Sequence, residues 1–477
     1  MSQLDVVIVG SGPNGLAAGI ELQRNGLEVL IVEASKSIGG GTRTSELTLP
    51  GFKHDYCSAV HPMGFLSPFF QTLPLSEHGL EWIFPEASVA HPLDNEPAVM
   101  LYKSIDETIN SIGGNDGKRW AELIQPFLKN ADALFKDALG PLKFPADPLT
   151  LMKFGLKGML PATYLSNKTF KQERAKALFA GCAAHSILPL ESFFSSAVGL
   201  MFAISGHIVN WPIAKGGSKA IGEALASYFT ELGGKIETNH PISKMGDLPE
   251  SKYYFFDTDP MQLLSIAGGQ FSNSYNKRLK KYNYGPGVFK IDWALSSSIP
   301  WKDQNCLKAS TVHVGATLGE IGKSEKNAWN GKHSDSPFVM VCQQSQFDST
   351  RTPEGMHTGY AYCHVPNGSS KDMTIEIERQ IERFAPGFRD IILERRTTGT
   401  AQFYDYNRNF LGGAITGGAA NVSQLFTRPV ARLNPYSTPD PRIFICSSST
   451  PPGGGVHGMC GYWAAQSLIN NLFRNQK

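Results

Sequence analysis

Three glycines near the start of the chain, Gly10, Gly12 and Gly15, follow the spacing GxGxxG. In this spacing the first glycine permits a tight turn, the second lets backbone approach a pyrophosphate, and the third lets a helix pack closely on a strand. Glu33 comes 18 residues after Gly15, close to the roughly 20 residues at which a carboxylate binds an adenosine ribose. The four residues therefore predict a dinucleotide-binding site.

Two other residues are candidates for proton transfer. Lys290 lies in YGPGVFKIDWAL, and if that segment is a strand, Lys290 and Val288 share one face. A lysine in an apolar pocket has its ammonium form disfavoured, which suits an acid–base role. His457 lies in the glycine-rich segment PPGGGVHGMCGYWAA, and a histidine can move a proton near neutral pH. The alternatives are an exposed salt bridge for Lys290 and a purely structural hydrogen bond for His457.

The elements around the first glycines are those of a strand–helix–strand unit. Val6 to Val9 and Val29 to Val32 are runs of four aliphatic residues, typical of parallel strands that are buried on both faces. The apolar residues between them recur at helical spacing and stop at Asn25-Gly26, where glycine can take a left-handed cap. The N-terminus of that helix offers free N–H groups and a partial positive charge to a pyrophosphate.

The segment after Glu33 resembles the glycine pair of a known flavoprotein family. Glu33-Ala34 is followed by Gly39-Gly40, Gly41 and Thr42-Arg43-Thr44. This order is similar to the corresponding segment of the FAD-dependent family that contains amine oxidases and bacterial phytoene desaturases. Where those relatives usually carry arginine this chain has Gly41, so Arg43 is the candidate for the positive charge near the diphosphate. The resemblance implies FAD as the cofactor.

Two later segments are implied to return to the same site. Residues 211–242 are similar to the family's Pro-x-Gly-Gly helix and following strand, with backbone near Ile242 reading adenine. Residues 442–473 resemble the strand, glycine loop and helix that run under the flavin ring in phytoene desaturase-like enzymes, particularly in TPPGGGVHGMCGY. The cofactor-binding residues implied in total are Gly10, Ser11, Gly12, Pro13, Asn14, Gly15, Glu33, Ala34, Gly40, Gly41, Thr42, Arg43, Ile242, Gly454, Gly455, Val456, Gly458 and Met459.

These segments predict an α/β fold with a glutathione-reductase-type, Rossmann-like FAD-binding domain that is discontinuous in sequence. We assign residues 1–80, 206–262 and 397–477 to that domain. The substrate domain is predicted to be α+β, with residues 81–205 mostly helical in pattern and residues 263–396 containing runs typical of antiparallel strands. The β-meander that relatives usually insert after Ile242 is predicted to be trimmed, because the apolar run YYFFDTDP follows so soon.

Composition excludes several other classes of protein. Lys and Arg total 44 against 42 Asp and Glu, a net charge of +2, and no basic run is long enough to follow a nucleic-acid backbone, so no nucleic-acid partner is expected. The 7 cysteines are scattered without CxxC spacing, which favours a reducing compartment and no metal site. The N-terminal residues show no signal-peptide pattern, and a cytoplasmic location is predicted.

Two apolar stretches bear on membrane contact. Phe193 to Val209 is interrupted by polar residues, falls short of the roughly 20 apolar residues of a spanning helix, and is predicted to be buried. Leu149 to Pro161 places Lys153 and Lys157 among Leu, Met and Phe. This second stretch is either an ordinary helix with a solvated face or a peripheral contact with a membrane surface.

Further residues close to the family motifs are weaker candidates for chemistry. His54, His61, Tyr404 and Tyr406 are candidates by proximity alone. Cys57 stands where relatives usually carry glycine near the flavin, and no second cysteine lies beside it, so Cys57 is predicted to serve packing.

We expect an FAD-dependent oxidoreductase that removes hydride from, or saturates, a small hydrophobic substrate such as a polyene, isoprenoid or lipid. Oxygen or a quinone is the expected electron acceptor. Two alternatives stay open: a flavin amine oxidase that uses Lys290, and a non-catalytic lipid-binding or escort protein on the same fold, as in Rab GDP-dissociation inhibitors. The substrate, the direction of the redox step and the oligomeric state do not follow from the sequence.

Overall fold

A computed structural model describes residues 4–474 of the chain. Residues 1–3, on which the signal-peptide argument partly rests, and residues 475–477 lie outside the described part. The strands, in chain order, are β1 (Val6–Val9), β2 (Val29–Val32), β3 (Thr44–Glu46), β4 (Lys53–Asp55), β5 (Trp82–Ile83), β6 (Ala87–His91), β7 (Val99–Tyr102), β8 (Ile213–Ala214), β9 (Lys235–Glu237), β10 (Tyr253–Phe256), β11 (Gly287–Leu295), β12 (Ala309–Val314), β13 (Val339–Cys342), β14 (His357–Val365), β15 (Ile392–Thr398) and β16 (Ile443–Ile445).

The helices run between and around these strands. In chain order they are α1 (Pro13–Arg24), α2 (Pro62–Phe65), α3 (Ile105–Ile112), α4 (Gly114–Leu128), α5 (Ala131–Ala138), α6 (Pro148–Gly158), α7 (Ala162–Thr169), α8 (Glu173–Ala184), α9 (Ser195–Val209), α10 (Lys219–Glu231), α11 (Pro260–Ala267), α12 (Asn273–Leu279), α13 (Leu318–Trp329), α14 (Thr374–Phe384), α15 (Thr400–Tyr406) and α16 (Met459–Arg474).

Five strands form a parallel sheet in the order β16-β10-β1-β2-β9. In its centre, Val7 of β1 lies opposite Leu30 of β2 and Tyr254 of β10. Every residue of β1 and β2 is buried, as expected for parallel strands that helices cover on both faces. The predicted bounds of β1 and β2 are confirmed.

Helices from the first and last segments of the chain pack beside this sheet. Helix α1 starts directly after the first glycine loop, with Pro13 in its first turn. Proline lacks a backbone N–H, and at this position an N–H would have no acceptor within the helix. The C-terminal helix α16 packs along α1 so closely that a Cβ on Gly461 would overlap the carbonyl oxygen of Asn14. This packing brings the closing glycine loop next to the first one.

Seven strands form a second sheet in the order β15-β11-β14-β13-β12-β6-β7. Neighbouring strands are antiparallel except β12 and β6, which run parallel. The fold class, a Rossmann-like α/β unit combined with an antiparallel sheet and helices, is confirmed. The helical prediction for residues 81–205 holds from α3 to α9 but misses β5, β6 and β7, because β6 finds its partner β12 more than 200 residues later. The domain bounds stay a prediction.

Two expectations about individual segments also agree with the fold. Residues 238–252 between β9 and β10 hold one short helical turn and no strand, as predicted for a trimmed insertion. Helix α9, the apolar stretch 195–209, is largely buried against α8 and α6. Across residues 4–474, none of the helices combines the length and the hydropathy needed to cross a bilayer.

Candidate functional site

One large cavity lies where the carboxyl ends of β1, β2 and β10 meet the closing glycine loop. Its volume is about 1430 Å³, which exceeds the roughly 300 to 1,000 Å³ of a pocket for one drug-sized ligand. Ser11, Gly15, Gly458 and Met459 neighbour its lining residues in the chain but do not line it. The predicted site residues that do line it are Gly10, Gly12, Pro13, Asn14, Glu33, Ala34, Gly40, Gly41, Thr42, Arg43, Ile242, Gly454, Gly455, Val456 and His457.

The first glycine loop leaves no room for side chains. Gly10 has a φ of 103°, a left-handed conformation that glycine adopts without a steric penalty. A Cβ on Gly15 would overlap the Gly10 carbonyl oxygen, and a Cβ on Gly12 would lie 2.6 Å from the carboxylate oxygen Oδ2 of Asp257. These contacts provide the close backbone approach that a dinucleotide loop needs.

Glu33 follows β2 and faces the first loop. Its carboxylate accepts hydrogen bonds from the Ser11 N–H at 2.9 Å, the Ser11 hydroxyl at 2.7 Å and the Ser35 N–H at 2.9 Å. Arg43 donates to the same carboxylate at 3.2 Å and to the Ser37 carbonyl oxygen at 2.7 Å. The structure therefore fixes Arg43 beside the predicted ribose carboxylate, while its contact with a diphosphate stays a prediction.

The second glycine segment packs on the first loop. A Cβ on Gly40 would lie 3.0 Å from the Cα of Gly12, so the two backbones touch. The Tyr406 hydroxyl donates to the Gly40 carbonyl oxygen at 2.7 Å, and the Tyr406 ring stacks on Tyr56 with centroids 4.3 Å apart. Tyr406, a weak candidate from sequence, thus holds the loop in place from 366 residues away.

Asp257 is a site residue that the motif analysis missed. Its Oδ2 accepts a hydrogen bond from the Gly15 N–H at 3.0 Å, and Asn409 donates to its carbonyl oxygen at 3.0 Å. Burial, assisted by the charge of Glu33, raises the pKa of the Asp257 carboxyl well above its usual value. Burial therefore disfavours a negative charge on Asp257 at the N-terminus of α1, the end of the helix that attracts anions. The sequence feature that could have identified Asp257 is its position directly after the apolar run YYFF.

The closing glycine loop forms the opposite wall of the cavity. Gly453 has a φ of 112°, and a Cβ on Gly454 would lie 2.5 Å from the Thr416 carbonyl oxygen. Buried Arg428 supports the loop by donating to the Ser448 carbonyl oxygen at 3.1 Å. Sequence reasoning missed Arg428 and Thr416, because both lie in a long irregular segment without a recognised motif.

His457 caps helix α16. Its Nδ1 accepts a hydrogen bond from the Met459 N–H at 3.1 Å, and its carbonyl oxygen accepts one from the Ser67 hydroxyl at 2.6 Å. The residue is 1% exposed, and burial lowers its pKa to about 4. Burial disfavours the charged imidazole because it lacks hydration there, and a proton-transfer role for His457 stays a prediction.

Lys290 lies on β11 and does not line the cavity. Its ammonium forms an ion pair with Asp292, with side chains 1% and 0% exposed, and lies 4.4 Å from the centroid of the Tyr360 ring. The Nδ1 atom of His54 is 3.6 Å from the same Asp292 carboxylate. The expected apolar pocket is therefore wrong, because residues i and i+2 of a strand share a face. A role in flavin chemistry stays a prediction.

Replacing Lys290 by Met should destabilise the protein by about 3 to 5 kcal/mol, since it removes the ammonium partner of the buried Asp292 carboxylate. Urea unfolding followed by circular dichroism measures the loss. The double variant Lys290→Met/Asp292→Leu removes both charges and should recover most of the stability. A loss below about 1 kcal/mol in the single variant would contradict the ion pair. Flavin reduction and reoxidation rates equal to wild type in the double variant would exclude a catalytic Lys290.

The remaining weak candidates are buried or lie outside the cavity. Burial lowers the pKa of His61 to about 4 and that of His54 to about 3, so both are neutral at pH 7. Cys57 lines the cavity, and desolvation by the surrounding protein raises the pKa of its thiol to about 12, which suits an inert packing role. Tyr404 is not among the lining residues.

The second half of the cavity is mainly apolar. One face of the antiparallel sheet contributes Met340, Tyr360 and Tyr362, and the helices α6 and α9 contribute Phe154 and Phe202. An apolar molecule fits such a wall, and the same wall excludes water from the space next to the glycine loops. The sequence analysis assigned these segments to the substrate domain but did not identify the individual residues that line the cavity.

Comparisons with known proteins agree with this architecture. The model of an NAD(P)-binding Rossmann-like domain matches residues 8–72. The chain is 25% identical to pyridine nucleotide-disulfide oxidoreductase domain-containing protein 2 of Rattus norvegicus, with 98% of this chain and 94% of the relative covered. It is also 25% identical to a limonene dehydrogenase polypeptide of Castellaniella defragrans, with 100% of this chain and 96% of the relative covered.

Two solved structures share the fold at lower sequence identity. An oxidoreductase from Methanosarcina mazei has a TM-score of 0.67 at 15% identity, covering 98% of this chain and 100% of that one. Putrescine oxidase with bound putrescine has a TM-score of 0.63 at 17% identity, covering 99% of each chain. The predicted relationship to flavoprotein oxidases and desaturases is confirmed, and the nucleotide-binding Rossmann unit with it.

Proposed function

We propose that this oxidoreductase, which is similar to FAD-dependent amine oxidases and desaturases, binds FAD and dehydrogenates or saturates a small, largely apolar substrate. The observation that carries the proposal is the continuity of the cavity. Gly12 and Gly40, from the dinucleotide loops, line the same space as the aromatic side chains of Phe154 and Phe202. A cofactor and an apolar molecule can therefore meet without crossing solvent.

The residues of the first unit fit a dinucleotide. A Cβ on Gly12 or Gly454 would collide with Asp257 or Thr416, so both loops present bare backbone to the cavity. Glu33 stands at the end of β2, where a ribose is bound in such folds. The N-terminus of α16 at Met459 adds a partial positive charge on the opposite side. Bound FAD supplies a hydride acceptor at flavin N5, with oxygen or a quinone as the final electron acceptor in our proposal. The chain itself orients the cofactor and keeps the apolar half dry.

The visible spectrum of the purified protein, followed by anaerobic mixing with candidate substrates, tests this function. We expect flavin absorbance near a 1:1 ratio and bleaching by an apolar isoprenoid, polyene or lipid. Bleaching by amines alone would favour the amine oxidase alternative instead. A colourless protein that binds no added FAD would overturn the proposal and leave a lipid-binding or escort role.

We further propose that the substrate enters from a lipid surface along α6. Four apolar residues recur along one side of this helix and its end, and all are exposed: Leu149 by 56%, Met152 by 56%, Leu156 by 61% and Met159 by 45%. The same helix lines the cavity through Phe154. An exposed apolar stripe on a helix that also lines a cavity is typical of a membrane contact site.

The double variant Met152→Glu/Leu156→Glu should reduce vesicle binding by more than tenfold. Each apolar side chain contributes roughly 1.5 to 3 kcal/mol when it leaves water, and the new carboxylates are repelled by anionic lipid. Co-sedimentation with vesicles containing phosphatidylglycerol measures the change. Ile375→Glu, at a residue that is 63% exposed on α14, is the matched control and should bind as wild type does. Wild-type protein that stays in the supernatant would contradict the membrane proposal.

A further inference from the structure

An imidazole in the wall of the apolar half of the cavity is open on one side. His185 directly follows α8, lines the cavity and is partly exposed. Its ring stacks on Phe202 with centroids 4.4 Å apart and meets the Trp211 ring edge-on at 5.3 Å. Its Nε2 is 3.0 Å from Nε2 of His313 on β12. Within residues 4–474 the other nitrogen, Nδ1, has no hydrogen-bond partner, yet it is not among the polar atoms that the protein encloses.

The contact between the two imidazoles decides what His185 presents to the cavity. Two nitrogens at this distance share one hydrogen, so one ring donates to the other. Burial lowers the pKa of His185 to about 3 and that of His313 well below its usual value, so both rings are neutral at pH 7. Nδ1 of His185 is therefore a donor if His313 donates within the pair, and an acceptor if His313 accepts.

The surroundings of His313 determine the direction of this hydrogen bond. The His313 side chain is 0% exposed, and its Nδ1 has no partner among residues 4–474. A Cβ on Gly181 would overlap this nitrogen, so a Cα–H bond of Gly181 points at it. A lone pair fits against that C–H bond, whereas a hydrogen there would be crowded and unpaired, which costs free energy. His313 thus donates through Nε2, and the hydrogen of His185 lies on Nδ1.

We propose that the Nδ1–H of His185 donates a hydrogen bond to a carbonyl oxygen of the substrate, so that the substrate class is an apolar carbonyl compound and not a plain hydrocarbon. A carbonyl oxygen brings no hydrogen that needs an acceptor, which suits the aromatic surroundings of Phe202 and Trp211. The inference rests on the proposed function, because it takes the apolar half of the cavity as the substrate site. His313 is a positioning residue that fixes the tautomer of His185.

NMR spectra of wild-type protein labelled with ¹⁵N-histidine test the tautomer at pH 7. Two other histidines serve as internal references. His207 accepts the Trp120 N–H at Nε2, so its hydrogen lies on Nδ1, whereas His91 donates to the Ala316 carbonyl oxygen through Nε2. We expect His185 to show the pattern of His207, an outcome that a merely structural histidine would not require. The pattern of His91 would overturn the proposal.

Ligand binding tests the carbonyl contact on the same wild-type protein. 2-Nonanone and 2-methyl-1-nonene differ only in carrying C=O or C=CH2, so the ketone should shift the Nδ1 resonance of His185 further than the alkene does. 2-Nonanol adds a hydrogen that needs its own acceptor, and by equilibrium dialysis it should bind more weakly than the ketone. Equal shifts with ketone and alkene, or tighter binding of the alcohol, would overturn the proposal.

A variant locates the contact at His185. His185→Phe keeps an aromatic ring beside Phe202 and removes the donor. It should weaken 2-nonanone binding about five- to tenfold, which corresponds to one hydrogen bond, and leave the affinity for 2-methyl-1-nonene unchanged. His357→Phe makes the same substitution outside the cavity lining and should bind both ligands as wild type does. Wild-type affinity for the ketone in a folded His185→Phe would overturn the assignment.

The spectra and the binding are measured without turnover, with and without added FAD, so the two proposals can fail separately. Protein that binds FAD but shows no ketone contact at His185 would refute this inference and leave the proposed function standing. Protein that shows the contact but binds no FAD would refute the proposed function alone. Because the wild-type spectra need no variant, they decide the matter even if His185→Phe does not fold.

Discussion

Gly15→Ala should weaken FAD binding by about 100-fold, or about 2.7 kcal/mol. The added Cβ would overlap the carbonyl oxygen of Gly10, and it would also lie 3.2 Å from the Asp257 carboxylate. Both neighbours belong to the walls of the cradle, so the loop must open where a diphosphate would have to approach it closely. Titration of apoprotein with FAD, followed by flavin fluorescence quenching, measures the dissociation constant.

A second glycine on a helix provides the control for this substitution. Gly322 lies on α13, and a Cβ built there meets nothing within 4 Å. Gly322→Ala should bind FAD as wild type does and gain up to about 1 kcal/mol of stability, because alanine favours the helical conformation. FAD affinity within threefold of wild type in a folded Gly15→Ala protein would contradict the cradle.

The protein should lose stability steeply as the pH falls from 7 towards 4. Burial lowers the pKa of several histidines from an ordinary value near 6.5, so the unfolded chain binds protons that the folded chain does not. Stability is therefore full above pH 6.5 and is lost below it, by about 1.4 kcal/mol per pH unit for each such histidine. The residues are His61, His91, His207 and His457 with a pKa of about 4, His54 and His185 with about 3, and His313 with a value well below the ordinary one.

Urea unfolding at pH values from 8 to 5 measures this effect. Wild-type protein should be several kcal/mol less stable at pH 5 than at pH 7, a large part of the roughly 5 to 15 kcal/mol of a typical domain. His91→Gln should reduce the slope of stability against pH by about one proton, because buried His91 only donates to the Ala316 carbonyl oxygen. Equal stability at pH 7 and pH 5 would refute the prediction.

The first dinucleotide unit could be predicted almost residue by residue because its signals are local. Gly15 is required by its contact with the Gly10 carbonyl oxygen, five residues earlier. The bounds of β1 and β2 follow from aliphatic runs that are buried on both faces. The close neighbour of Gly10 and Gly12, in contrast, is the distant Asp257. The closing loop could be assigned for the same reason, since its glycines and the helix after them are contiguous. Both loops lie on one cavity, as the resemblance implied.

The sequence did not predict features whose environment is formed by residues far away in the chain. His457 is a candidate for proton transfer by its position in the glycine loop, and only the fold shows that burial lowers its pKa to about 4. Strand β6 was missed because its partner β12 lies far along the sequence. The pairing of Lys290 with Asp292 could have been predicted from the sequence, since residues two apart on a strand share a face.

The sequence by itself determined the class of protein and the position of the dinucleotide loops, because turn, strand and helix preferences depend on neighbouring residues. Only the tertiary structure decided what faces the apolar half of the cavity. His313 reaches His185 across 128 residues, and Asp257 reaches Gly15 across 242. Such contacts arise where strands and helices from separate segments pack together, and charge, tautomer and pKa at the site follow from that packing and not from residue type or spacing.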